Sequence, residues 1–231
     1  MSVITALTAQ NTLGVHAIHE VPEDFIEKQF DAVATDIGID AAKTGMLATT
    51  QILKTIAKMV RKYQIDKLVV DPVMIAKGGA TLIEEEAQNS LIEELVPLAL
   101  VITPNIPEAE VLSKTEISSV GDMKKSAAII YGLGAKNVVI KGGHLPGDAV
   151  DILYDGKNFH EFTSERIDTL DTHGAGCTYS AAIATELAKG KSVFEAVKKA
   201  KEYVTTAIMF SLRIGGGHGP TNHLAPILQE K

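Results

Sequence analysis

The chain contains a single cysteine, Cys177, and no tryptophan. One cysteine excludes an internal disulfide, which is consistent with the reducing cytoplasm. The segment Met1-Ser2-Val3 has neither the basic start nor the cleavage site of a secretory signal, and no apolar run is long enough to span a bilayer. We therefore expect a cytoplasmic protein with no membrane partner.

Positive charge is also scarce. The formal net charge is −7 at pH 7, with 22 Lys and Arg against 29 Asp and Glu, and no basic stripe is present. A nucleic-acid-binding protein would carry such a stripe, so we expect no nucleic-acid partner. The sequence also lacks a G-x-x-x-x-G-K-[ST] segment, which excludes a P-loop kinase. A phosphorylated ligand must then be held by local dipoles, a metal or single lysines.

Short apolar strands alternate with amphipathic helices along the 231 residues, at an apolar content of 45%. Strands are predicted at 3–8, 40–43, 67–70, 100–102 and 137–140, with a hairpin at 152–162, and helices near 22–33, 52–60, 84–95, 123–131, 179–189 and 193–210. This alternation predicts a mainly parallel central sheet with helices on both faces, a three-layer α/β/α fold. No linker or repeat interrupts it, so residues 1–231 are predicted to form one domain. Glycine-rich loops are predicted at 77–80 and 215–220, the second of them mobile.

The segment Asp171-Thr172-His173-Gly174-Ala175-Gly176-Cys177-Thr178 joins a β-rich stretch to a helix. Its two glycines allow a tight turn and a close approach of backbone to a ligand. The following helix offers unpaired N–H groups and a positive dipole end, which together suit a transferring phosphoryl group. A plain strand-to-helix turn without a ligand is the alternative, and the polar residues around the glycines favour the anion site.

Polar residues also stand directly after the predicted strands; they are Gln10, Thr44, Asp71, Asn105 and Lys141. Ligands of open α/β sheets bind outside the carboxyl ends of the strands, so these side chains should meet at one edge beside Gly174. Lys141 can meet the phosphates of a ligand as a point charge, and Asp71 can help hold Mg²⁺ with its water shell. The Gln10 amide presents a hydrogen-bond donor and an acceptor together, which suits a ring edge that carries both.

The segment 171–178 resembles the C-terminal signature of ribokinase-superfamily sugar and vitamin kinases. Cys177, where that superfamily usually has Asp, is similar to the branch containing hydroxymethylpyrimidine/phosphomethylpyrimidine kinases of thiamine synthesis and pyridoxal kinases. The segments Ala9-Gln10-Asn11-Thr12, Lys43-Thr44-Gly45-Met46 and Asn105-Ile106-Pro107-Glu108 resemble the same family. The resemblance implies a ribokinase-like fold, ATP and Mg²⁺ as cofactors, and a homodimer.

The resemblance also implies roles for individual residues. Cys177 becomes the candidate base for the alcohol proton, and its place at a helix N-terminus favours a thiolate. A small buried residue, or a thiol that adds to the aldehyde of pyridoxal, are the alternatives for Cys177. The implied sites are catalytic Gly174, Ala175, Gly176 and Cys177; substrate-binding Gln10, Met46, Val73 and His144; nucleotide-binding Asn105, Lys141 and Thr172; and metal-supporting Asp71 and Glu108.

Four of these assignments have ordinary structural alternatives: Gln10 can be a helix or loop cap, Met46 can fill the core, Glu108 can be a first-turn helix acid, and His144 can be a surface residue. The family's Gly/Ser-rich segment of the type G-S-D-S-S-G-G-A-G does not occur in the 231 residues. From the resemblance we therefore expect a domain without the family's first strand and helix, with impaired stability or activity.

The resemblance implies that ATP phosphorylates 4-amino-5-hydroxymethyl-2-methylpyrimidine and then its monophosphate. A pyridoxal or pyridoxine kinase is the second hypothesis, and Gln10 favours the pyrimidine over it. A ligand-binding homologue without activity is the third.

Overall fold

The computed structural model describes residues 1–74 and 85–229, and the predicted loop at 77–80 lies outside them. The strands are β1 Ala6–Asn11, β2 Gly14–Glu20, β3 Ala42–Thr44, β4 Leu68–Val70, β5 Val101–Ile102, β6 Val138–Ile140, β7 Ala149–Tyr154 and β8 Phe159–Ser164. The α-helices are α1 Glu23–Asp36, α2 Thr50–Lys62, α3 Glu85–Ser90, α4 Ile106–Ser113, α5 Val120–Gly132, α6 Ala175–Ala188, α7 Val193–Met209 and α8 Ala225–Gln229. No helix in these ranges is both long and apolar enough to cross a membrane.

The central sheet has six strands in the order β3–β4–β5–β6–β7–β8. Strands β3 to β6 are parallel to one another, whereas β7 pairs antiparallel with both β6 and β8. Because β3 to β6 are parallel, their carboxyl ends lie along one edge of the sheet. The predicted mainly parallel sheet is confirmed, with an antiparallel hairpin added at one side.

Helices cover both faces of this sheet, and successive residues of β4 pack alternately against the two helical layers. Leu68 and Val70 pack into the core built with α1, α2, α4 and α5, whereas Val69 between them packs with α6 and α7. Successive strand residues point to opposite faces, so a strand buried on both sides needs an unbroken apolar run. The same alternation continues in β6, where Val138 and Ile140 lie on the first face and Val139 on the second.

Helix starts are set by short polar side chains. Thr49 accepts a hydrogen bond from the Ile52 N–H at the start of α2, and Ser192 with Glu195 forms a capping box at the start of α7. Such caps satisfy amides that the helix itself leaves unpaired. The helix predicted at 84–95 is described from Glu85 and passes at Leu91 into a π-turn, followed by a 3₁₀ turn at Val96–Leu98.

Strands β1 and β2 form a separate two-stranded antiparallel sheet. The sequence predicted one strand at 3–8 and missed β2. Gln10 was expected just after a strand of the central sheet, but it lies within β1, which pairs only with β2. Most side chains of both strands are exposed, so they lack the alternating burial that makes a strand recognisable.

Candidate active site

Asp71 is the centre of a charge cluster at the carboxyl edge of the sheet, directly after β4. It is 2% exposed. Lys141 Nζ lies 2.8 Å from Asp71 Oδ1, and the Ser180 hydroxyl donates a 3.0 Å hydrogen bond to Oδ2. Burial alone would raise the pKa of Asp71, but the charges of Lys141 and Lys43 outweigh it and hold the pKa below its usual value. Asp71 is therefore a buried, ionised carboxylate.

Lys141 follows β6, and an isolated parallel bridge joins it to Asn105 after β5. Burial would lower the pKa of Lys141, but Asp71 and Glu108 outweigh that effect and raise it, so the ammonium stays charged. Lys141 Nζ lies 3.2 Å from where a Cβ on Gly176 would stand. The absence of a side chain at position 176 therefore lets this ammonium sit against the first turn of α6.

The first turn of α6 presents free amides beside that ammonium. Gly174 caps the helix in the left-handed region, at φ 79°, without a side-chain cap. The Thr178 N–H donates to the Gly174 carbonyl, 2.7 Å away. Among the described residues, the N–H groups of Gly176 and Cys177 have no acceptor. An anion placed there would meet both amides, the positive end of α6 and Lys141 together.

The signature loop is held in place by the C-terminal glycine-rich loop. Asp171 Oδ1 accepts a hydrogen bond from the Gly219 N–H at 3.1 Å, and Oδ2 accepts from the Ser211 hydroxyl at 3.2 Å. The His173 N–H donates to the Gly219 carbonyl. The glycine loop is tied in turn to the β1–β2 turn, because the His218 N–H donates to the Thr12 carbonyl at 2.8 Å.

The loop at 215–220 was predicted to be mobile; in the structure these hydrogen bonds join it to the signature loop and to the β1–β2 turn. Thr172, one residue along the signature, is half-buried and accepts a hydrogen bond from the Ala175 N–H through its carbonyl.

Cys177 lies in the first turn of α6 and is solvent-exposed. Partial loss of hydration raises the pKa of its thiol, and the Lys43 ammonium is the strongest influence in the opposite direction. The thiolate indicated by the helix N-terminus is therefore not the resting form, because crowding by protein atoms outweighs the nearby cations.

Glu108 and Asn105 form a capping box at the start of α4. The Asn105 N–H donates to Glu108 Oε2 at 2.8 Å, and the Glu108 N–H donates to Asn105 Oδ1 at 2.9 Å. Glu108 is 5% exposed, and its burial raises the pKa of the carboxyl despite the opposing charge of Lys141. Glu108 is therefore a first-turn helix acid, which confirms the structural alternative for this residue. In this position it also lies near the charges of Lys141 and Asp71.

The donor chemistry around Asp71 and Glu108 suits Mg²⁺ in one particular arrangement. Both Asp71 oxygens and Glu108 Oε2 already accept hydrogen bonds from the protein. Within residues 1–74 and 85–229 no group of three His, Cys, Asp or Glu side chains is arranged to hold a metal. The residues therefore fit an ion that keeps its waters and takes most ligands from nucleotide phosphates.

A small cavity adjoins the charge cluster on the β3 side. It is lined by Thr44, Gly45, Leu47, Leu53, Asp71, Pro72, Val73 and Leu91. Val73 is part of this lining, and the buried Thr44 hydroxyl has no hydrogen-bond partner among the described residues. Met46 is half-buried and outside this lining, and its carbonyl accepts a hydrogen bond from the Thr5 hydroxyl.

Gln10 and His144 are both on the surface of the protein. Gln10 is exposed on β1, and its side chain has no partner among the described residues. His144 is exposed in the loop after Lys141. Arg166 holds that loop through three backbone carbonyls, those of Gly143, Leu145 and Gly147. No motif in the sequence marked Arg166, which lies 23 residues from Gly143.

A buried ion pair, which the sequence analysis missed, holds the backbone of the loop that follows Lys141. Lys201 Nζ on α7 lies 2.9 Å from Asp151 Oδ2 on β7, and Asp151 Oδ1 accepts the Gly142 N–H at 2.9 Å. A Cβ on Gly142 would lie 1.7 Å from the Val150 carbonyl oxygen, so only glycine fits. The backbone next to Lys141 is thus fixed by Asp151 and by close contact with β7.

The crystal structure of Bacillus subtilis pyridoxal kinase as an ADP complex matches this fold with a TM-score of 0.91. It is 44% identical in sequence, and the match covers 99% of this chain and 87% of that one. Together with the layered sheet and the glycine turn into α6, this defines a ribokinase-like α/β kinase fold.

The phosphomethylpyrimidine kinase family model matches residues 1–222, and the chain belongs to that family. The hydroxymethylpyrimidine/phosphomethylpyrimidine kinase of Bacillus subtilis is 48% identical over 227 residues, covering 97% of this chain and 84% of that protein. The thiamine biosynthesis bifunctional protein ThiED of Geobacter sulfurreducens is 52% identical over 224 residues, covering 96% of this chain. This chain spans 46% of that bifunctional relative.

Proposed function

We propose that this chain transfers the terminal phosphoryl group of ATP to the hydroxymethyl group of 4-amino-5-hydroxymethyl-2-methylpyrimidine, and then to the resulting monophosphate, in thiamine biosynthesis. The observation that carries the proposal is that the N–H groups of Gly176 and Cys177 have no acceptor among the described residues, with the Lys141 ammonium beside them. Transfer of a phosphoryl group depends mainly on positioning and charge neutralisation, which this arrangement supplies.

Each remaining group has one task in the proposed reaction. Lys141 and the amides from Gly174 to Cys177 neutralise charge on the transferring phosphoryl group. Cys177 accepts the alcohol proton. Glu108 and Asp71 orient the water shell of Mg²⁺, which when bound neutralises charge on the nucleotide phosphates.

The acceptor is proposed to occupy the β3 side of the charge cluster. Val73 and the cavity around it supply an apolar wall for the ring. Met46, which lies outside the cavity lining, is proposed to add to that wall when the acceptor is bound. Gln10 binds the aminopyrimidine edge, which requires β1 to approach the bound ring. His144 and Thr172 line the same opening, and Asn105 meets the nucleotide. The relatives named for the pyrimidine substrate support this choice of acceptor.

The test is a direct assay of product formation. The purified chain is incubated with ATP, Mg²⁺ and the pyrimidine alcohol, and the monophosphate and diphosphate are separated and quantified with ADP. We expect both products in sequence, with ADP equal to the total phosphoryl transferred. ADP release without a phosphorylated pyrimidine would contradict the proposal and favour a homologue without this activity.

Pyridoxal kinase is the second candidate, because the matched Bacillus subtilis structure carries that name at 44% identity. A parallel assay with pyridoxal separates the two. We expect a higher kcat/KM for the pyrimidine alcohol, because the Gln10 amide pairs with its ring nitrogen and exocyclic amine. A higher value for pyridoxal would reverse the assignment.

We also propose that residues 1–231 form a single kinase domain, that it assembles as a homodimer and that it acts in the cytoplasm. Exposed apolar side chains on the β1–β2 sheet, among them Leu7 and Ile18, support self-association. The single cysteine supports the location. Light scattering after gel filtration tests the assembly, and a monomer at micromolar concentration would contradict it.

A further inference from the structure

Lys43 is a second ammonium in the charge cluster, and neither the signature motifs nor the proposed mechanism gives it a task. It lies in β3, and 19% of its side chain is exposed. Its Nζ is 3.8 Å from Asp71 Oδ2, whereas Lys141 Nζ is 2.8 Å from Oδ1. A separation of 3.8 Å is too long for a hydrogen bond. The Lys43 ammonium therefore attracts Asp71 without donating a hydrogen bond to it.

The two lysines stand next to different glycines of the site. Lys141 abuts Gly176, where the terminal phosphate of the donor is proposed to sit. Lys43 Nζ lies 2.9 Å from where a Cβ on Gly45 would stand, and Gly45 lines the cavity on the β3 side. Lys43 is thus the ammonium on the acceptor side.

Lys43 is also close to the group that would receive the acceptor's proton. Its charge is the strongest influence favouring ionisation of the Cys177 thiol. The ammonium is therefore close to both the cavity and the thiol, so that a negative charge on an acceptor bound there would meet it.

We propose that Lys43 binds the phosphate of an acceptor that is itself a phosphate monoester, and so determines the second phosphorylation step. The inference rests on the proposed function and names which side chain distinguishes its two acceptors. A hydrogen bond from an ammonium to a phosphate is charge-assisted, and the neutral alcohol offers no equivalent partner.

The two steps differ chemically in a way that this assignment explains. In the first, which requires the ionised form of Cys177, the alcohol oxygen attacks the terminal phosphorus, its proton passes to the Cys177 sulfur, and the bond to ADP breaks with its electron pair leaving on ADP. In the second, a monoester oxygen attacks and the same bond breaks. A monoester has a second pKa of about 6, so at pH 8 this oxygen carries no proton to remove. The second step therefore requires a cation that binds the acceptor phosphate, and it does not require a base.

The test compares kcat/KM for the alcohol and for the monophosphate in wild type, Lys43→Met, Lys43→Gln and Lys43→Arg. We expect Lys43→Met to lower the monophosphate-to-alcohol ratio of kcat/KM about 10- to 150-fold, the range of a hydrogen bond to a charged group. Lys43→Arg should restore part of the ratio, since it keeps the charge. Lys54→Met, an exposed lysine on α2, is the matched control and should leave both values unchanged.

The opposite change is expected when the proposed base is removed. Cys177→Ala should raise the monophosphate-to-alcohol ratio, because only the alcohol step loses its proton acceptor. Equal losses on both acceptors in Lys43→Met and Lys43→Gln would overturn the proposal and assign Lys43 to the nucleotide.

A binding measurement separates this inference from the proposed function. Calorimetric titration of the pyrimidine monophosphate without ATP should show weaker binding to Lys43→Met by a similar factor, and no weakening in Lys54→Met. If wild type transfers no phosphoryl group to the alcohol, the proposed function fails while this titration still decides the role of Lys43. Unchanged affinity in Lys43→Met would overturn the inference even in an active kinase.

Discussion

Replacing Asp71 by Asn removes the charge on which the cluster depends while keeping the shape of the side chain. The carboxylate is 2% exposed and is bound by Lys141 at 2.8 Å, Ser180 at 3.0 Å and Thr103 at 3.3 Å. In Asp71→Asn the Lys141 ammonium, 14% exposed, loses its closest counter-charge and keeps only the more distant influence of Glu108.

The expected loss of stability follows from the burial of the Asp71–Lys141 ion pair. Breaking a buried ion pair by removing one partner typically costs about 3–5 kcal/mol, because the other charge stays buried and unpaired. In a domain of this size about 1 kcal/mol shifts Tm by roughly 2–4 °C, so a fall of roughly 6–20 °C is expected. The control is Asp24→Asn on α1, whose Lys28 partner is equally close but fully exposed, and for which we expect no measurable change.

Urea unfolding followed by circular dichroism measures the difference, and pH gives a second check. The pKa of Asp71 is lowered in the folded protein, so its stabilisation is fully present above the unfolded value of about 3.9 and declines as pH falls below it. The gap between wild type and Asp71→Asn should therefore be constant above about pH 5 and shrink in acid. Equal stability of Asp71→Asn and Asp24→Asn at pH 7 would refute the reasoning.

Three further predictions test the loop, the anchor and the base. Gly142→Ala should lower stability by about 1–3 kcal/mol in urea unfolding, because its Cβ would meet the Val150 carbonyl; Gly143→Ala, with open space around it, is the control and should behave as wild type. Asp171→Ala should release the loop at 215–219, because the hydrogen bonds of Asp171 to Ser211 and Gly219 are lost. Limited proteolysis should then cleave this loop faster. An unchanged cleavage pattern would contradict the role of Asp171 in anchoring the loop. Because the pKa of Cys177 is raised, the fraction of thiolate grows with pH through the mildly alkaline range, and the kcat of the alcohol step should rise with it. Cys177→Ala should lose that rise. A wild-type kcat that does not change with pH would exclude Cys177 as the base.

The central sheet and its charge cluster were predictable because both depend on local pattern. Strands buried on two faces require continuous apolar runs, which the stretches at 67–70 and 137–140 show directly. Asp71, Asn105 and Lys141 follow three such strands, and parallel pairing brings strand ends to one edge. Their convergence was therefore predictable once the strands were identified.

Other features depend on contacts that no local pattern records. Strand β2 is exposed on both faces, so its residues do not alternate, and Gln10 was consequently assigned to the wrong sheet. The Gly217 amide meets Thr12 across 205 residues, and Asp151 meets Lys201 across 50. Lys43 lies in a family-like segment that assigned no role to its ammonium, because that role depends on the distance to Asp71 and not on the neighbours of Lys43 in sequence.

The most direct test of the central claim is a crystal structure of this chain with a nonhydrolysable ATP analogue and the pyrimidine alcohol. We expect the terminal phosphate to accept hydrogen bonds from the Gly176 and Cys177 amides, with Lys141 Nζ in contact and the alcohol oxygen facing the Cys177 thiol. A terminal phosphate bound away from the first turn of α6, or an alcohol on the opposite side of the nucleotide from Cys177, would contradict the account.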